Sequence, residues 1–65
     1  MSKTYDREVI ALLLAASCEF VRRVKGSHEI WHSPITGRHF VVPHGMVKRT
    51  TANGVLKDAG LPKAF

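Results

Sequence analysis

The stretch CEFVRRVKGSHEIWHSPITGRHFVVP, Cys18–Pro43, decides the fold. It holds three runs of β-branched and aromatic residues separated by two turn signals, the pattern of neighbouring strands joined by hairpins. The first run is CEFVRRVK, Cys18–Lys25. Strict alternation would put Phe20, Arg22 and Val24 on one face and Val21 and Arg23 on the other. Lys25-Gly26 reads as a tight turn, with Gly26 supplying a positive φ. The second run is SHEIWHS, Ser27–Ser33, with His28, Ile30 and His32 facing one way and Ser27, Glu29 and Trp31 the other. SPITG, Ser33–Gly37, is the next turn. The third run, RHFVV, places Phe40 and Val42 opposite His39 and Val41, and Pro43 ends it because proline cannot donate to a ladder. Trp31 is expected to pack in the core.

Outward from this centre, both flanks read as helices. In TYDREVIALLLAAS, Thr4–Ser17, the residues Tyr5, Val9, Leu12, Leu13 and Ala16 recur at helical spacing. Thr4 is the expected N-cap, with Asp6 and Glu8 favourably placed in the first turns. Ile10 and Leu14 fall outside that stripe, which widens the apolar face beyond one packed layer. HGMVKR, His44–Arg49, reads as a loop. TTANGVLKDAGLP, Thr50–Pro62, reads as a second helix capped by Thr50 or Thr51, with Val55, Leu56 and Ala59 inward and Gly60 at its C-terminal end. Asn53-Gly54 alone favours a hairpin, but no strand pattern follows it. The order helix, three strands, helix predicts an α+β fold. Its simplest packing is a three-stranded antiparallel meander with two helices on one face. Residues 1–65 form one domain.

Sixty-five residues bury only about 60% of the surface exposed by the unfolded chain. Any chemistry must therefore sit at or near the surface. The formal charge is +5, and it is concentrated: residues 21–49 hold Arg22, Arg23, Lys25, Arg38, Lys48 and Arg49 against Glu29 alone. A basic strip of this kind suits a polyanion or an acidic protein. The single cysteine, Cys18, excludes an internal disulfide and a Cys-rich zinc site, and it fits a reducing cytoplasm. No apolar run is long enough for a transmembrane span, and MSKTYDREV lacks the apolar core of a signal peptide.

Four histidines raise the question of metal. His28 and His32 lie about 13 Å apart along a strand and cannot share an ion. His32 and His39 can approach across the strands, but two imidazoles without a third ligand make a weak site. No metal or other cofactor is expected. Ser27 beside His28 is a poor nucleophile–base pair, because neighbouring strand residues face opposite sides. A histidine beside a positive strip suits another reaction. RNA is cut without metal when a base takes the 2′-hydroxyl proton and that oxygen attacks the adjacent phosphorus. Lysine and arginine then hold the phosphate and stabilise the developing charge.

The pieces EVIALLLAAS, EFVRRVKGSHEIW, RHFVVPHG and VLKDAGL stand in an order and spacing that resembles the HicA toxin family of bacterial toxin–antitoxin pairs. The most specific is KGSHEI, Lys25–Ile30. The resemblance implies a fold like that of a double-stranded RNA-binding domain. It implies a ribonuclease that cleaves mRNA and a HicB-type antitoxin that covers the active site in a hetero-oligomer. It also implies that the essential histidine is that of the Gly-Ser-His motif, here His28. Two departures lie in the last helix: Thr50-Thr51 stands where the family often has Gly-Thr, and Asn53-Gly54 stands where it carries stronger helix formers.

Roles then follow. His28 is the expected general base or acid. Ser27 and His44 are candidates for the unassigned second proton transfer, as are His39 and Lys25. Gly26 is expected to act through backbone shape. Arg22, Arg23, Lys25, Lys48 and Arg49 are expected phosphate contacts, the last two beside a helix N-terminus that itself favours anions. Two other classes compete: a non-catalytic RNA-binding module, and a subunit that acts only by binding an acidic partner.

Overall fold

The computed structural model describes residues 4–65. Lys3, counted in the basic balance, lies outside them, as do the first residues of the segment read as lacking a signal. The elements are α1 (Asp6–Ala15), β1 (Glu19–Arg23), β2 (His28–Ser33), β3 (Arg38–Pro43) and α2 (Arg49–Asp58). The strands form one antiparallel sheet in the order β1-β2-β3. This is the α-β-β-β-α arrangement, consistent with a double-stranded RNA-binding-domain-like fold. No helix among the described residues is long and apolar enough to cross a membrane.

The register explains the two faces of the sheet. Trp31 pairs with Phe40, and Glu29 with Val42. These four are buried with Val9 and Leu13 of α1 and with Ala52, Val55, Leu56 and Ala59. Both helices therefore cover one face, as the alternation in β2 and β3 requires. Burying a side chain such as Leu13 or Leu56 contributes about 1.5–3 kcal/mol. On the opposite face His28 pairs with Pro43, Ile30 with Val41 and His32 with His39. Trp31 packs in the core as expected, at 4% exposure.

β1 departs from strict alternation. Phe20 pairs with Trp31, but Arg22 pairs with Ile30 and Arg23 with Glu29, with a register shift between Phe20 and Arg22. The bulge at Val21 is the physical reason: one extra residue inverts every side chain after it. Phe20 and Arg23 thus share the helix-covered side, and Arg22 lies on the open side.

The helix ends also differ from the expected caps. α1 begins at Asp6 after an N-cap Tyr5 whose side chain makes no cap bond, so Thr4 is not the cap. A tertiary tie replaces it. Asp6 accepts the N–H of Gly45 and of Met46, both at 2.8 Å, and the Tyr5 N–H donates to the Met46 carbonyl at 2.8 Å. Within the stripe, Ile10 packs against the core and Leu12 turns outward, to line a cleft with Leu56 and Leu61. At the other end of α1 the N–H groups of Ser17 and Cys18 donate to Leu14 and Leu13, which places Ser17 at φ 65°. This is the double C-terminal bond that normally selects glycine.

α2 starts at Arg49, with Lys48 as the N-cap, so Thr50 and Thr51 lie inside the helix. Met46, buried and anchored through Asp6, fixes where the chain leaves the core and lets the helix begin three residues later. Its C-terminus repeats the double bond, with Gly60 and Leu61 donating to Lys57 and Leu56 and Gly60 at φ 83°. Asn53, a weak helix former, has a tertiary role. Its amide accepts from Ala64 and Phe65 and donates to the Phe65 carbonyl, holding the tail against the helix.

Candidate active site

The β1–β2 hairpin places His28. The Val24 N–H donates to the His28 carbonyl at 2.9 Å, and Gly26 takes φ 62°, as expected for the turn. Lys25, Gly26, Ser27 and His28 are all exposed on this loop. His28 opens β2 on the face that the helices leave uncovered. Arg22 shares that face further along the sheet, whereas the bulge sends Arg23 to the other, where its guanidinium lies 3.7 Å from Glu29.

The far side of the turn is closed by the segment after β3. The His44 N–H donates to the Ser27 carbonyl at 2.8 Å. Lys48 lies four residues along from His44, so chain reach keeps its backbone within about 14 Å of that contact. Lys48 and Arg49 are exposed at the start of α2. The N-terminus of the helix adds partial positive charge there. His28 and Lys25 thus lie at one end of the sheet, with Lys48 and Arg49 within chain reach of it, while Arg22 and Arg23 are divided between its faces.

Beneath the turn lies a polar cluster that sequence reasoning missed. Glu29 follows His28 and points to the helix side, where it is 8% exposed. Its Oε1 accepts the Trp31 indole N–H at 3.0 Å, and its Oε2 stands 2.9 Å from His44 Nε2. His44 Nδ1 lies 3.8 Å from Asp6 Oδ2. The Trp31 hydrogen bond holds the Glu29 carboxyl below its ordinary range, with His44 and Arg23 adding to the effect and burial opposing it. One signal for this cluster was available. Alternation put Glu29 on the same face as Trp31, and a carboxylate on a core face must find partners. Its partners are 6, 15 and 2 positions away in sequence, and only the nearest is local.

His32 and His39 meet on the open face, ring centroids 5.1 Å apart and edge to face. Among the described residues no group of three or more histidines, cysteines or carboxylates could hold a metal ion. Ser27 contributes its carbonyl to the turn through His44.

Neither a curated protein nor a solved structure matches the chain. One family model does, that of the HicA toxin of bacterial toxin–antitoxin, over residues 7–61. The match runs from the first turn of α1 to Leu61, just past the C-terminal cap of α2, and so includes the hairpin, His28 and the segment that closes over it. The chain belongs to the HicA toxin family of bacterial toxin–antitoxin systems.

Proposed function

We propose that this toxin is an endoribonuclease whose acid–base group is His28. The observation that carries the reading is the exposure of His28 at the head of β2, on a turn shaped by Gly26 and flanked by Lys25, in a member of this toxin family. A long flexible substrate can reach an imidazole on an open sheet face without a deep pocket. In the proposed step the imidazole takes the proton of a 2′-hydroxyl, and O2′ forms a bond to the adjacent phosphorus. The P–O5′ bond breaks, leaving a 2′,3′-cyclic phosphate and a 5′-hydroxyl that receives a proton from water or from the protonated imidazole. Lys25, Lys48, Arg49 and Arg22 neutralise phosphate charge, and Arg23 contributes from the strand edge. The substrate is mRNA in the cytoplasm, and the inhibitor is a HicB-type antitoxin that complements the basic surface.

A single assay separates this from a non-catalytic RNA-binding module, which the fold and the basic surface would equally suit. The purified protein is incubated in chelator with an RNA oligonucleotide and with its 2′-deoxy analogue. Cleavage of the RNA alone, with cyclic-phosphate ends, is the expected result. Binding without cleavage would replace the nuclease with the module. Neither binding nor cleavage would leave a protein that acts through its partner.

A further inference from the structure

We propose that His44 is the positioning residue of the His28 site, acting through the residues on either side of it rather than by proton transfer. The inference rests on His28 being the acid–base group. Three observations carry it. First, His44 grips both neighbours of His28: its main-chain N–H binds the Ser27 carbonyl at 2.8 Å, and its ring nitrogen Nε2 stands 2.9 Å from Glu29 Oε2. Second, the β2–β3 ladder comes to its end at this point. His28 faces Pro43 as a non-hydrogen-bonded pair, its own N–H and carbonyl turning to the other side, to Lys25 and Val24. The last β2–β3 bond at this end is the one from the His44 N–H to Ser27. Without it β3 would hold β2 only from Glu29 onward, and His28 would be tied on the β1 side alone. Third, His44 is itself fixed. Asp6 accepts the N–H of Gly45 and of Met46, each at 2.8 Å, and its Oδ2 lies 3.8 Å from the His44 ring.

The faces decide between positioning and proton transfer. Glu29 points toward the helices, and the His44 ring is on it. His28, the preceding residue, points to the uncovered side. The His44 ring therefore lies across the sheet from the reacting groups. A rigid supporting shell of this kind matters because a misplacement of about 1 Å can reduce a rate by about 10²-fold.

Two variants test the proposal. His44→Ala keeps the main-chain N–H but removes the grip on Glu29. His44→Gln sets an amide nitrogen near the place of Nε2 and restores that grip, yet transfers no proton near neutral pH. The expected result is a kcat lower by about 10- to 100-fold in His44→Ala with KM little changed, and recovery of most of it in His44→Gln. If His44→Gln falls as far as His44→Ala, the residue transfers protons and the proposal is overturned. If His44→Ala lowers the melting temperature but not kcat, its role is structural only and the proposal is again overturned. A second measurement needs no cleavage. In the ligand-free protein, the His28 ring and Ser27–Glu29 amide resonances should shift or broaden in His44→Ala and return in His44→Gln. Unchanged resonances in His44→Ala would refute positioning by themselves. A wild-type protein that leaves RNA intact would refute the nuclease reading and leave this second result standing on its own.

Discussion

Replacing Glu29 probes the polar cluster beneath the turn. Its carboxylate accepts from the Trp31 indole at 3.0 Å and meets His44 at 2.9 Å. Hydrogen bonds to a charged group contribute about 1.5–3 kcal/mol each, and a buried donor left without a partner costs about 1–3 kcal/mol. Trp31 is 4% exposed, so Glu29→Leu strands its N–H. Leucine recovers part of this by removing a buried charge that is costly to desolvate. The net loss for Glu29→Leu is about 2–4 kcal/mol. The whole fold of 65 residues holds about 3–10 kcal/mol, so that loss is a large share of its stability. Glu29→Gln is milder. Its carbonyl still accepts from Trp31, its amide can donate to His44 in the other tautomer, and the loss is the charge-assisted part, about 1–2 kcal/mol. The pH dependence has a definite sign. Glu29 titrates below its ordinary range, chiefly through the Trp31 bond, so the ionised form favours the fold. Its contribution is complete above the unfolded value of about 4.3 and is lost as pH falls through the lower folded value. Urea unfolding followed by the fluorescence of Trp31, the only tryptophan, measures both variants at pH 7 and pH 3. The gap between wild type and Glu29→Gln should be open at pH 7 and narrow toward pH 3. Equal stabilities at pH 7, or a gap that stays constant, would refute the assignment of Glu29 as a partnered carboxylate.

Further outcomes follow from the backbone and the charges. Ser17 holds φ 65° at the end of α1, so Ser17→Gly should stabilise by about 1 kcal/mol, a melting-temperature rise of about 4–8 °C. Gly54 lies inside α2 with open space around it, and Gly54→Ala should add about 0.5–1 kcal/mol by the same assay. Gly60 is the opposite case. A Cβ there would sit 2.7 Å from Ile35 Cγ2 and 2.9 Å from Thr36 Cγ2 at φ 83°, so Gly60→Ala should destabilise by at least about 1–2 kcal/mol. For RNA binding by a His28→Ala protein, substituting Lys25, Lys48 or Arg49 by alanine should each reduce the slope of log affinity against log salt by about 0.7. An unchanged slope would remove that residue from the phosphate contacts.

The three strands and two helices were legible because each carries its period in a few residues: Val9 and Leu13, Trp31 and Glu29, Phe40 and Val42. The Gly26 turn was legible because glycine is the residue that a positive φ selects. The inversion of Arg22 and Arg23 was not, since a bulge adds one residue without any composition signal of its own. The helix starts were misplaced for a related reason. Local capping rules favour Thr4 and Thr50, whereas Asp6 and Met46 settle both ends through contacts 39 and 40 residues apart in sequence. Asn53 looked like a defect in α2 because its partners, Ala64 and Phe65, lie outside the helix. Of the candidate site, the turn and its histidine came from local pattern and family resemblance. The grip of His44 on Ser27 and Glu29 required the sheet to be closed first.

The central claim is that His28 performs the acid–base chemistry of RNA cleavage. It is tested most directly by single-turnover cleavage of one RNA oligonucleotide by wild type and by His28→Ala, each at saturating protein and each shown to melt as a folded domain. A loss of about 10²–10⁴-fold in rate, with RNA binding retained, is the predicted result. A His28→Ala protein that cleaves at the wild-type rate would contradict the account.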